Sequence, residues 1–200
     1  MKKIELFTDR LIIREYNKID MTSFVAVTSQ AEIRATTYGI PENYTRSYAK
    51  NWFRLIKTNI KNGLSYEFGM FLKEDGEYVG NVGLINVSKL HNHADISYYT
   101  DKKFHCMGLT TEAAQAMLEL GFKTFGFEKI SGMCMRINPA SRRVMEKIGM
   151  SFEGTLRHEL YKDGIYYDID VLSVLRTDYF TNCKCGNCES FQHQKVESVN

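Results

Sequence analysis

Long apolar runs are missing from this 200-residue chain. Nowhere do about 18 apolar residues follow one another, so no segment reads as a membrane-spanning helix. The opening MKKIELFTDRLIIREY has two lysines but no apolar stretch of signal-peptide length, which sets the expectation of a cytoplasmic protein. Net charge is also scarce: +2, with basic residues scattered and the densest run, ASRRVMEK, itself holding an acid. That excludes both an acidic tail and the basic footprint of a nucleic-acid binder. Cysteines are few in the body, only Cys106 and Cys134, while Cys183, Cys185 and Cys188 crowd the end. This is no disulfide framework. Internal repeats and long linkers are absent too.

What is present suits one globular domain. The 44% hydrophobic share is ordinary, and a chain of this length can bury a sizeable core. DRLIIRE reads as a strand over 11–14, and 20–30 as a short helix with Asp20 as its cap. TRSYAKNWFRLIKTNIKNG has Tyr48, Trp52, Leu55, Ile56 and Ile60 at helical spacing and Gly63 as its stop. Two strands flank Glu74-Asp75-Gly76, and HADISYYTD forms a third. A helix over 110–125 follows, then the strand KISGMCMRI. The short helix of NPASRRVMEKIGM has Asn138 as cap, Pro139 at the first position and Gly149 past its end. A hairpin turning at Lys162-Asp163-Gly164 completes the body. The order implies a mixed α/β (α+β) domain over 1–180, with one curved, mostly antiparallel sheet and helices on both faces. Residues 181–200 lose the apolar period and read as a mobile tail. Its three cysteines and His193 are ligand types that zinc takes, but their spacing matches no common zinc site, so no metal is expected.

One stretch decides between enzyme and scaffold. In TDKKFHCMGLTTEAAQAMLELGF a polar turn containing Gly108 runs into a helix with Glu112 in its opening residues. A helix N-terminus has unbonded N–H groups and partial positive charge, and it holds a phosphate if the preceding backbone comes close. The same residues also make an ordinary strand-to-helix turn capped by Thr110 or Thr111. Both readings stand on spacing alone.

Taken together, FTDRLIIREY, KEDGEYVGNVGL, ADISYYTD, GLTTEAAQAMLELGF and the block from NPASRRVMEKIGM to DIDVLSVLR resemble the GNAT superfamily of acetyl-CoA-dependent N-acetyltransferases. Within it they are similar to the ribosomal-protein alanine and serine N-acetyltransferase branch, over about residues 6–180. The resemblance implies a single domain whose sheet has a splayed central strand pair, here ISYYT and ISGMCMRI. The family's pyrophosphate loop has Gln or Arg, two residues, Gly, one residue, then Gly or Ala; those places fall on His105, Gly108 and Thr110, so only the glycine matches. Implied contacts to acetyl-CoA come from Tyr98, Tyr99 and Thr100 on the strand, from His105, Cys106, Met107, Gly108, Leu109, Thr110 and Thr111 on the loop, and from Asn138 and Ser141. Implied catalytic residues are Glu159, as general base, with Tyr161 and His158 in reserve, and Ser141, near the departing sulfur. Arg142, Arg143 and Lys147 either approach the nucleotide phosphates or form a solvated face. Cys134 is expected to be a small core residue. The implied reaction is direct acetyl transfer to a primary amine, either a protein N-terminus such as that of a ribosomal protein or a small molecule. A homodimer is left open. The competing expectation, from the departures at His105 and Thr110, is a CoA-binding or interaction module that kept the fold and lost the chemistry.

Overall fold

The computed structural model describes residues 3–37, 39–41 and 44–182. Cys183, Cys185, Cys188 and His193, and with them nearly all of the proposed tail, lie outside the described residues. Strands β1 (Glu5–Phe7) and β2 (Leu11–Arg14) open the chain, followed by helices α1 (Met21–Thr28), α2 (Ala31–Thr36) and α3 (Arg46–Asn62). Then come β3 (Tyr66–Leu72), β4 (Tyr78–Ser88), β5 (His93–Thr100), α4 (Leu109–Glu119), β6 (Lys129–Met135), α5 (Pro139–Lys147), β7 (Ser151–Lys162), β8 (Ile165–Leu175) and α6 (Arg176–Asn182). The strands form one sheet in the order β1-β2-β3-β4-β5-β6-β8-β7. Every pairing is antiparallel except that of β5 with β6.

Local chemistry explains most boundaries. The Thr45 hydroxyl accepts from the Tyr48 N–H to start α3, and Gly63 ends it in the left-handed conformation at φ 66°. The Asn138 side chain accepts from the Ser141 N–H, with Pro139 in the first turn of α5. Asp163 and Gly164 both have positive φ, 49° and 82°, as a two-residue hairpin turn between β7 and β8 requires.

Three elements were not foreseen. β1 is three residues long, α2 is six, and α6 extends past the expected end of the body, with Tyr179 buried against Phe122. The helix expected over 110–125 is α-helical only to Glu119 and widens to a π-turn over Leu120–Thr124. Asp20 does precede α1, but it caps nothing there. Its carboxylate is paired with the Arg14 guanidinium at 2.8 Å and accepts the Asn17 N–H, because an unpaired acid at 7% exposure would be costly.

The core divides between the two faces. On one, Ala113, Ala114, Met117 and Leu118 of α4 and Met145 of α5 pack on Val82, Leu84, Ile96 and Ile130. On the other, Phe24 of α1 and Ala49 of α3 pack with Phe71 and Tyr78. Each fully buried Val, Leu, Ile, Met or Phe among them is worth about 1.5–3 kcal/mol, so both faces resist separation.

Candidate active site

β5 and β6 pair from His93↔Lys129 to Ile96↔Gly132 and then separate. Gly132 lets α5 sit close at this point, since an added Cβ would lie 2.9 Å from Met145 Sδ. Behind β5, Gly80 of β4 approaches so closely that an added Cβ would fall 2.1 Å from the Tyr99 carbonyl oxygen. Tyr99's main-chain groups therefore face β4, and strand alternation turns those of Tyr98 and Thr100 toward the gap. The gap opens into a cavity of about 880 Å³.

Of the residues foreseen for the donor, Tyr98, Tyr99, Thr100, His105, Cys106, Met107, Gly108, Thr110, Thr111, Asn138 and Ser141 line this cavity. Leu109 does not; its side chain is core at 1% exposure, which leaves only its main chain to contribute. The loop is braced from both sides. The His105 ring Nε2 is 3.0 Å from the Thr100 carbonyl oxygen, and the Thr110 hydroxyl is 2.7 Å from that of Thr100. Outside, Arg10 donates to the Met107 carbonyl at 2.9 Å and pairs with Glu112. Burial raises the Glu112 pKa, but hydrogen bonds from Thr8 and Arg10 outweigh it and hold the carboxyl below its ordinary value. Neither Thr110 nor Thr111 caps α4. Gly108 occupies the cap position at φ 78°, and no side chain accepts there. The first-turn N–H groups of α4 thus stay open beside the cavity.

α5 supplies the opposite wall. The Tyr98 hydroxyl donates to the Ser141 carbonyl at 3.0 Å and lies 3.2 Å from Ser141 Oγ. Arg143 and Lys147 also line the cavity, whereas Arg142 turns away to Asp170 at 2.7 Å and Glu146 at 2.9 Å. Cys134 is buried as expected yet forms part of the wall. Burial, reinforced by nearby Asp170, pushes its thiol up to about 11, which keeps it protonated and poorly nucleophilic at neutral pH. α2, invisible as a helix in the sequence, contributes Glu32, Ile33 and Thr36.

Glu159 is not brought together with these groups. It stands exposed on β7 where the register with β8 slips between Leu156 and Leu160, and it lines no cavity described here. The reserve residues share this position: the His158 N–H donates to Asp168, and Tyr161 is 62% exposed.

A second cavity of about 540 Å³ lies across β5. Thr37, Ile85, Asn86, Ser97 and Tyr99 line both cavities, so the two meet at the end of the paired part of β5. Among the described residues its walls are aromatic (Phe24, Tyr44, Tyr48, Trp52 and Tyr99) with one carboxyl, Glu67 of β3. Sequence reasoning missed Glu67. The signal was an acid within the otherwise apolar strand EFGMF. Burial pushes this carboxyl up to about 7, while a hydrogen bond from the Ser65 hydroxyl, at 3.5 Å, pulls the other way.

Known proteins share these features in differing degree. A family model described as an acetyltransferase (GNAT) domain matches residues 10–151. The N-acetyltransferase YoaA of Bacillus subtilis, itself uncharacterized, is 26% identical over 171 residues, 86% of this chain and 96% of its own. A GNAT-family acetyltransferase from Bacillus anthracis superimposes with a TM-score of 0.76 at 25% identity, covering 87% of this chain and 99% of that one. The ribosomal L7/L12 α-N-protein acetyltransferase RimL, solved in complex with coenzyme A, gives 0.78 at 16% identity over 87% and 98% of the two chains. At that identity the likeness is one of fold.

Proposed function

Since the chain belongs to the GNAT acetyltransferase family, by a match spanning residues 10–151, we propose that its first cavity takes acetyl-CoA and that its second takes the amine to be acetylated. The observation that carries this is the parting of β5 from β6 after Ile96↔Gly132, where main-chain groups of Tyr98 and Thr100 face a cavity bounded by an uncapped helix start. The residues present fit such a donor. Strand main chain matches the amides of a pantetheine arm, and the Gly108 turn with the first N–H groups of α4 matches a pyrophosphate. Arg143 and Lys147 add positive charge on the same wall. When bound, the donor supplies an acetyl thioester.

The remaining work falls to side chains. Ser141 Oγ, 3.2 Å from the Tyr98 hydroxyl on the first cavity's wall, is the donor we assign to the departing thiolate. The protonated Cys134 thiol supports direct transfer without a covalent enzyme. The resemblance assigns the general base to Glu159, but its exposed position outside both cavities lends that assignment no geometric support. RimL, which shares the fold, is described as a ribosomal L7/L12 α-N-protein acetyltransferase, and an N-terminal residue of a ribosomal protein is one amine the second cavity could admit; a small amine is the other. The intact Ser141–Tyr98 pair and the open gap favour an enzyme over a scaffold.

Two measurements test this. Titration calorimetry should detect acetyl-CoA binding, and thiol release should depend on an added primary amine. No binding at millimolar donor would remove the donor site. Binding without release, over a broad panel of amines and peptides, would favour the scaffold.

A further inference from the structure

We propose that Glu67 receives the acceptor's ammonium group and takes its proton, and that the second cavity selects a primary monoamine with an aromatic or apolar body. This rests on the reading above and goes beyond it by naming the base and the acceptor class.

The placement of Glu67 is specific. It is half-buried on β3 opposite Gly83, where an added Cβ would lie 2.8 Å from Glu67 Cγ and 2.9 Å from the Tyr66 carbonyl oxygen. Gly83 thus leaves the room in which the carboxyl stands. No Lys, Arg or His is among the described residues lining the cavity. The groups that face Glu67 are the phenols of Tyr16, Tyr44 and Tyr99 and the hydroxyl of Ser65. Burial raises all three phenols well above their ordinary value, so none carries charge near neutrality. A carboxylate in such surroundings lacks a cation, and a bound ammonium is the natural one. Aromatic faces around it add cation–π attraction and bury an apolar body. A polyamine would bring further charges, for which the described lining offers no second carboxylate.

The proton balance closes. The Glu67 carboxylate takes one proton from R–NH₃⁺. The freed nitrogen lone pair forms the C–N bond to the acetyl carbon, and the C–S bond breaks with its electron pair on sulfur. The second nitrogen proton passes to that thiolate by way of Ser141 and Tyr98, giving the amide and the thiol. Glu67 then releases its proton to water. A carboxyl lifted toward neutrality suits both capture and release.

The test uses the full-length protein, with 2-phenylethylamine and spermidine as acceptors and a thiol-release readout from pH 6 to 9. The wild type should favour 2-phenylethylamine in kcat/KM. Glu67→Gln should lower kcat by about 10²–10⁴-fold near neutrality, with the loss shrinking as pH rises and more amine is already neutral. Its acetyl-CoA affinity should be unchanged, and Glu67→Asp should recover part of the rate. Preference for spermidine overturns the acceptor class. Full activity of Glu67→Gln, a loss equal at every pH, or a pH-dependent loss that follows Glu159→Gln instead, overturns the base. If Glu67→Gln does not fold, carbon-13 NMR of the wild-type Glu67 carboxyl decides: its pKa should drop when 2-phenylethylamine binds, and an unmoved titration overturns the contact. Acetyl-CoA binding with no acetylation of either amine, and no shift of the carboxyl, defeats this inference alone, whereas failure to bind acetyl-CoA defeats the reading beneath it.

Discussion

The two cavities share a wall but are made differently. The first draws most of its wall from a few continuous pieces, the end of β5, the loop into α4 and the helix α5, with α2 and β6 adding the rest. A donor proposed there would be held largely through main chain, so the signature is spacing, with Gly108 at the turn and Asn138 with Pro139 at a helix start. The second is assembled from α1, α3, β3, β4 and β5, one or a few side chains from each. Among the described residues its polar content is a carboxyl and a few amides and hydroxyls among aromatic rings. A donor common to a family can be held by repeated local geometry, while an acceptor particular to one member is held by scattered side chains.

Four experiments would break or sharpen that contrast. The largest effect belongs to the strand both cavities share. Gly80→Ala sets a methyl against the Tyr99 carbonyl, so β4 and β5 must shift apart. We expect a cost of about 3–5 kcal/mol and a melting temperature lower by roughly 10 °C; calorimetry that shows no change would mean the approach is not tight. Next, Ser141→Ala should lower kcat by about 10–100-fold, since it removes one donor near developing charge, and should leave acetyl-CoA affinity alone. Steady-state kinetics beside calorimetry separates the two, and a pure loss of affinity would move Ser141 from chemistry to binding.

A smaller effect concerns stability. The carboxyl of Glu67 is raised in the folded protein, so the protein gains from its protonation. That advantage is fully present below the unfolded value of 4.5 and is lost as pH rises through about 7. Melting of wild type and Glu67→Gln should therefore diverge with rising pH across this window, the variant becoming the more stable by a few degrees. Parallel melting curves would show a solvated carboxyl. The smallest effect should come from His105→Arg. A permanent, forked charge beside the loop should tighten acetyl-CoA a few-fold and steepen its dependence on salt. An unchanged affinity would mean that the ring serves only the Thr100 carbonyl.

The order of most strands and helices along the chain was legible because their signals are local. Asn138 and Pro139 start a helix, Gly63 stops one, and Asp163-Gly164 turns a hairpin. Helix α2 was not legible, because six residues hold less than two turns and carry no apolar period. Asp20 misled for a related reason: an acid before a helix resembles a cap, and only the folded chain brings Arg14 to it. Much of the first cavity's wall could be read from His105, Gly108, Asn138 and Ser141. The positions of Glu159 and Glu67 could not. Both are acids within strands, and nothing local distinguishes the exposed one on β7 from the half-buried one on β3.

By itself, then, the sequence determined most of the elements and their order, because turn chemistry, capping and apolar period act between residues near in the chain, and the resemblance of its motifs pointed to the family. Tertiary structure alone decided where β5 and β6 part, after four paired residues, that Thr110 turns its hydroxyl to Thr100, and that Glu67 lines the second cavity while Glu159 lines neither. Burial and the company of other charges set what a carboxyl can do, and both come from segments distant in the chain.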